Sequence, residues 1–310
     1  MNLVLLCGGL GGARLAPALG RALGRGRLTV VANVGDDLHW MGLRVCPDVD
    51  SVLYALAGVW DGARGWGRCD ETFRVRDELV RRGRPGWFHV GDRDLALHLE
   101  RTRLLSAGKT LTEVTREIAA GLGVHGISVV PASDEFAPTR VVTRSGRTLE
   151  FQEWYVRDQA RPRLSRTLLS RHVASRAALR ALAQADRVIL GPSNPVTSIG
   201  AILALRGMTA AVRGVPRRIA VSPVVSRRRT RSPTIERHAR ARRRVLEPQG
   251  LRDRAASIAA RYVGLVDDFV IDRADAGEAP ALRRLGLEPV ITEVLAEGAL
   301  ARAILDIASR

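Results

Sequence analysis

Apolar positions along the chain fall into two alternating rhythms. Asn2 to Cys7 is a short apolar run that ends in glycines, the pattern of a buried strand entering a loop. Ala13 to Leu23 follows with apolar residues at helical spacing, and Leu28 to Asn33 is β-branched and apolar again, a second strand. Strand, glycine loop, helix and strand in that order predict the opening βαβ unit of a doubly wound sheet. The pattern then predicts helices over Ser51 to Ala57, Glu71 to Arg82, Asp92 to Leu105 and Thr110 to Leu122, the last opened by Thr110 with Glu113 three residues on, a capping pair. Ile127 to Val130 reads as a strand, and Thr139 to Thr143 and Thr148 to Gln152 flank Ser145-Gly146 as a hairpin. The alternation resumes with strands at Arg187 to Leu190, Arg218 to Val225, Asp268 to Ile271 and Leu287 to Ile291. Helices are predicted between and after them at Ser198 to Leu205, Leu251 to Tyr262 and Ala296 to Ile307. The fold class expected is α/β: a doubly wound, mostly parallel Rossmann-like sheet in a single domain over residues 1–310, with a small antiparallel/α insert at about 125–175.

With 310 residues, 46% of them apolar, the chain can bury the core such a domain needs. No run of about 18 apolar residues predicts a membrane span. The first residues lack the basic region of a signal peptide, so they read as a strand and a cytoplasmic location is expected. Three cysteines, Cys7, Cys46 and Cys69, form no CxxC pair, which disfavours a disulfide framework and a cysteine zinc site.

The net charge of +17 changes the picture only locally. Lys109 is the sole lysine among 49 basic residues, a skew that suggests a coding bias toward arginine. Residues 227–244 hold nine arginines against one acid, Glu236, so much of the charge is one tract. A basic tract raises a nucleic-acid-binding protein as an alternative. Aromatic residues make up only 4% and are not interleaved with the arginines, which leaves few stacking platforms and disfavours it.

Candidate chemistry gathers at five loops. Gly8, Gly9, Gly11 and Gly12 lie between a strand and a helix, where backbone can approach a phosphate and the helix start offers unpaired N–H groups. Arg14 adds a guanidinium. The spacing is neither GxxxxGK[ST] nor GxGxxG, which argues against a P-loop and against a nicotinamide oxidoreductase. Asp36 and Asp37 follow the second strand, and Asp48 and Asp50 open a helix. Four acids within fifteen residues suit a hard cation such as magnesium, although acids at a helix start also serve as caps and dipole partners. His89 to Asp94 join a glycine turn to an Asp-Arg-Asp cluster, in which Arg93 pairs with its neighbours or meets a phosphate, and His98 reads as a satisfied helix residue. Ser193 and Asn194, in Gly191-Pro192-Ser193-Asn194-Pro195, end a strand where open α/β sheets bind ligands.

The segments GGLGGARLA, VVANVGDD, CPDVDSVLYALAG, GWG, VGDRDLALHL, LTEVT, PASDE, FQEWYVR and LGPSNPVTSIG occur in this order between about Leu3 and Gly207, and YVGLVDDFVID follows later. This ordered set resembles the 2-phospho-L-lactate transferase family of coenzyme F-420 biosynthesis, and the PASDE and FQEW spellings resemble its bacterial, phosphoenolpyruvate-type members. The resemblance implies transfer of a phosphorylated three-carbon acid from a guanosine diphosphate-linked donor to the ribityl hydroxyl of 7,8-didemethyl-8-hydroxy-5-deazariboflavin, with GMP released. It implies Asp50 as the catalytic and deazaflavin-contacting acid. The donor phosphates and nucleotide are expected at Gly8, Gly9, Gly11, Gly12, Arg14, Ser193 and Asn194, and magnesium at Asp36 and Asp48. Partners are then small molecules, with a homodimer left open. Two positions depart from the family. His89 stands where a long cation usually helps hold the deazaflavin. Residues 226–245 replace a glycine-containing loop with arginines, which substitute for its phosphate contacts, form a solvated loop, mark an inactive member, or reflect a compensated reading-frame error.

Overall fold

The computed structural model describes residues 1–226 and 233–308. In chain order the strands are β1 (Asn2–Cys7), β2 (Arg27–Ala32), β3 (Leu38–Trp40), β4 (Leu43–Val45), β5 (Ile127–Pro131), β6 (Arg140–Thr143), β7 (Thr148–Glu150), β8 (Leu164–Leu168), β9 (Arg187–Leu190), β10 (Arg217–Val221), β11 (Asp268–Asp272) and β12 (Glu288–Thr292). The helices are α1 (Gly9–Leu23), α2 (Pro47–Leu56), α3 (Arg74–Arg81), α4 (Asp92–Ser106), α5 (Leu111–Gly121), α6 (Arg176–Ala183), α7 (Ile199–Ala204), α8 (Met208–Arg213), α9 (Pro233–Leu246), α10 (Ala255–Ala259), α11 (Ala279–Arg284) and α12 (Glu297–Ala308).

Seven strands form one sheet in the order β12-β11-β10-β9-β1-β2-β5, and every pairing in it is parallel. The central strands are apolar between their ends because helices cover both faces of such a sheet. From β1 the chain builds outward through β2 and β5, then returns to the other edge of β1 with β9 and builds the opposite way. The strand order therefore reverses between β1 and β9, and the loops after these two strands diverge to open a crevice. Two glycines let the crevice walls come close. A Cβ on Gly11 would overlap the carbonyl of Pro192 in the loop after β9, and Gly9 has φ of 41°.

The expected doubly wound sheet is present, and the Thr110–Glu113 capping box forms. Several boundaries differ. Helix α1 starts at Gly9, so the glycine segment is its first turn rather than a loop before it. The antiparallel insert is narrower than 125–175, because β5 extends the main sheet beside β2; the strands set apart are β7-β6-β8. The β3–β4 hairpin was not expected, since its turn is Met41-Gly42, both at positive φ (52° and 81°), where Asn-Gly is the usual signal. Helix α9 was hidden by its arginines, although Ala241, Val245 and Leu246 mark one buried face. Arg227 to Arg231, proposed above as substitute phosphate contacts, lie outside the described residues. Among the described residues no helix is long and apolar enough to cross a membrane, and the three cysteines are free.

Gly11→Ala is expected to lower stability by about 1–3 kcal/mol, since the clash is with backbone that cannot rotate away. Urea unfolding checks this; an unchanged midpoint would mean that α1 and the β9 loop are not in contact.

Candidate active site

Two cavities share a floor at the switch point. The larger, about 1060 Å³, lies over the first turn of α1 and the loop after β9 and is lined by Gly8, Gly9, Gly11, Arg14, Ser193 and Asn194, among others. The smaller, about 320 Å³, is lined by Asp50, His89 and an aromatic wall. Asp36, Asp48 and Tyr155 line both.

Asp36 and Asp48 are the centre of this arrangement. Asp36 follows β2 and Asp48 opens α2, and both side chains are buried. One amide, Asn33 Nδ2, donates to both, at 3.1 Å to Asp36 Oδ1 and 2.8 Å to Asp48 Oδ2. Gln152 adds a contact to Asp36 at 3.3 Å. Burial and the neighbouring carboxylates push Asp36 well above the usual carboxylate range. Burial, opposed by the Asn33 hydrogen bond, pushes Asp48 up to about 7. The pair holds a proton, or a cation in its place, far more readily than an exposed pair would. The donors are hard oxygens in a shared cleft, which fits magnesium.

The other two acids of the sequence cluster are engaged elsewhere. Asp37 is fully enclosed, paired with Arg44 at 2.6 Å, and accepts a hydrogen bond from Cys46. It is a structural ion pair and no part of a metal site. Asp50 receives both terminal nitrogens of Arg101, one at 3.0 Å, and Arg101 is itself buried. Arg101 also contacts His98 Nδ1 at 3.2 Å, and His98 Nε2 lies 3.4 Å from Asp94, whose carboxylate accepts from the Tyr54 hydroxyl. Asp50, Asp94 and His98 are spaced like metal ligands, but a guanidinium and a phenol already occupy the two carboxylates.

The expected donor residues divide by function. Gly8, Gly9 and Gly11 bring the start of α1 to the crevice, where the Gly9 N–H meets Asp48. Gly12 does not reach it: one residue further round the helix, it packs α1 onto Cys7 of β1. Arg14 lines the crevice, but its Nε is tied to Glu297 of α12 at 2.8 Å. The Ser193 hydroxyl accepts from Gly8 N and donates to Gly8 O, each at 3.0 Å, so it clamps the glycine turn to the β9 loop. Asn194 Oδ1 accepts from Val196 N and Thr197 N and shapes that loop. On the acceptor side His89 is exposed, contacts Arg76 at 3.3 Å, and burial and Arg76 hold its pKa below the usual imidazole value.

Sequence reasoning missed the aromatic wall and the network under Asp50. In a chain with 4% aromatic residues, Tyr54, Trp66, Trp87, Phe88 and Tyr155 converge on one small cavity. Tyr155 sits on a wide π-type turn, Glu153–Arg157, and stacks on Phe151. The network was readable: Asp94, His98 and Arg101 repeat at i, i+4 and i+7, polar residues on the face of α4 that Leu97 and Leu104 mark as buried. The N–H groups of Arg93 and Asp94 are capped by Glu71, while Asp92 accepts from Arg74 N and Val75 N at the start of α3.

A group whose folded-state pKa lies above its unfolded value is more protonated in the folded chain. It therefore favours folding below its unfolded pKa and loses that advantage as pH climbs through the folded value. With metals chelated, stability is expected to fall between about pH 4 and the value of about 7 at Asp48. Asp48→Asn should flatten that fall and gain on the order of 1–3 kcal/mol at pH 8, with no gain at pH 4. Urea titrations at the two pH values check this, and an equal offset at both would remove the pair as its source.

Comparison with known proteins places this geometry. The family model described as 2-phospho-L-lactate transferase CofD matches residues 3–297. A phosphoenolpyruvate transferase from Streptomyces griseus is 38% identical over 323 aligned positions, covering 99% of this chain and 98% of that protein. One from Mycobacterium tuberculosis is 36% identical and covers 99% of both. Among solved structures, a protein member of the UPF0052 family from Bacillus halodurans superimposes with a TM-score of 0.60 at 17% identity, covering 98% of each chain, a likeness of fold. The chain belongs to the CofD family of 2-phospho-L-lactate transferases and is a phospho-acid transferase.

Proposed function

We propose that the chain transfers a phosphorylated three-carbon acid from a guanosine diphosphate-linked donor to the terminal ribityl hydroxyl of 7,8-didemethyl-8-hydroxy-5-deazariboflavin in coenzyme F-420 biosynthesis. The observation that carries this reading is the meeting of two unlike cavities at Asp36 and Asp48. One has the backbone amides of a helix start, suited to a diphosphate. The other has an aromatic wall, suited to a planar ring. The relatives named phosphoenolpyruvate transferases favour phosphoenolpyruvate as the acid.

In the reaction the acceptor oxygen forms a bond to the phosphorus that bears the acid, the bond from that phosphorus to the GMP oxygen breaks, and the acceptor proton is released. Such a transfer mainly needs alignment and neutralised charge. Magnesium held by Asp36 and Asp48 would neutralise donor phosphate oxygens. The N–H groups of Leu10 and Gly11 in the first turn of α1 do the same. Asp50 lines the acceptor cavity, and Arg101 fixes its carboxylate in one orientation, so it accepts the hydrogen bond of the attacking hydroxyl and directs its lone pair at phosphorus. The phenol of Tyr155, pushed up to about 12 by burial, stays protonated between the two substrates.

Incubation with the deazaflavin and a mixture of GDP-linked acids, read by mass spectrometry, tests the reading. The expected products are the phosphoenolpyruvyl diester and GMP, and absence of any diester would overturn it. Chelation should abolish turnover and magnesium or manganese restore it; full activity after exhaustive chelation would remove the metal. Asp50→Asn should lower turnover roughly 100-fold or more in a chain with unchanged circular dichroism, and activity within a few-fold of wild type would sink its assigned role.

A further inference from the structure

Helix α9 reaches the aromatic cavity with one guanidinium. Arg237 lines that cavity, and its Cζ lies 4.9 Å from the centroid of the Tyr155 ring. The next residue, His238, meets the Tyr155 hydroxyl through Nδ1 at 3.1 Å, so consecutive positions of α9 hold one aromatic ring by its face and by its tip. The helix is seated here by packing as well: a Cβ on Gly65, beside Trp66, would lie 3.2 Å from Thr234.

The cations around this cavity differ in what neutralises them. Arg101 is paired with Asp50. Arg76 is paired with Asp77 at 2.8 Å and donates to the Gly86 carbonyl. Arg237 has no carboxylate within salt-bridge distance among the described residues, and its Nε is buried without a hydrogen-bond partner. His89 does not take this role, since it is mostly neutral near pH 7. Arg237 also hydrogen-bonds Tyr155, and a guanidinium packed on an aromatic ring still has in-plane donors left for another group.

We infer that Arg237 is a specificity-determining residue of the acceptor cavity. Packed on Tyr155, it donates to an electronegative edge of a planar ring ligand, a ring carbonyl or ring oxyanion. The inference rests on the reading of this cavity as the deazaflavin site. It also gives the arginine-rich segment a part in the site: α9 supplies the cavity with a cation that has no carboxylate partner among the described residues, as well as one wall of the donor crevice.

The test is a fluorescence titration of the full chain with free deazaflavin, run on wild type, Arg237→Gln and Arg237→Lys, with a calorimetric titration of GDP on each. The glutamine variant is expected to bind deazaflavin about tenfold more weakly, the lysine variant to fall between, and GDP affinity to stay within twofold. Lysine keeps the charge without the planar fork, so an intermediate value separates recognition from bulk. Equal deazaflavin affinity in wild type and the glutamine variant would overturn the inference and leave the proposed function standing. A matching loss of GDP affinity would overturn it too, by showing that the residue supports the fold. Wild type that binds GDP but no deazaflavin would instead end the reading of the cavity, and the inference with it.

Discussion

Two carboxylates with little access to water, joined by one amide, set the terms for the rest of this molecule. Asp36 and Asp48 come from different turns of the chain, and Asn33 must point its nitrogen at both. Burial and their mutual repulsion favour a proton, or a cation in its place, on the pair. That preference explains the surroundings. The turn above Asp48 has to be glycine, since a Cβ on Gly8 would overlap its carboxylate. The β9 loop has to be clamped to that turn, which Ser193 does with both functions of its hydroxyl. The sheet contributes by reversing its strand order at this place, so that the two loops part and leave room above the carboxylates.

The remaining acids show how burial sorts similar residues into different tasks. Asp37 is adjacent to Asp36, yet its side chain turns to Arg44 and becomes part of the scaffold. Asp50 is two residues beyond Asp48, and the helical step carries it from the shared floor into the smaller cavity alone. There a buried guanidinium holds it, backed by His98, Asp94 and Tyr54. A carboxylate held at both oxygens has one fixed orientation in which to receive a hydroxyl group. In the proposed reaction this split assigns charge neutralisation to Asp36 and Asp48 and orientation to Asp50.

Much of the fold was legible because the signals were local. Apolar runs ending in glycine gave the parallel strands, and a Thr-x-x-Glu spacing gave the start of α5. The crevice residues were legible for the same reason: Gly8, Gly9, Gly11, Ser193, Asn194, Asp36 and Asp48 all follow strands or open helices. What escaped depended on contacts between distant segments. Gly12 could not be told from Gly11 without knowing which way the helix faces the sheet. Asp37 could not be told from Asp36 without Arg44 in place. The aromatic wall draws Trp66, Trp87 and Tyr155 from separate stretches, and composition alone suggested that aromatics were too few to matter. The arginine count concealed α9, whose buried face among the described residues includes Ala241, Val245 and Leu246.

The caps at the bases of α3 and α4 are exchanged. Glu71, ahead of α3, closes the first amides of α4, and Asp92, the first residue of α4, closes the first amides of α3. Neither helix start can fray without exposing the polar groups of the other. The excursion between them carries Trp87 and Phe88, so this part of the aromatic wall is latched at its root like a buckle. Loosening of either helix start therefore removes a cap from the other, which couples the two ends of the wall's root.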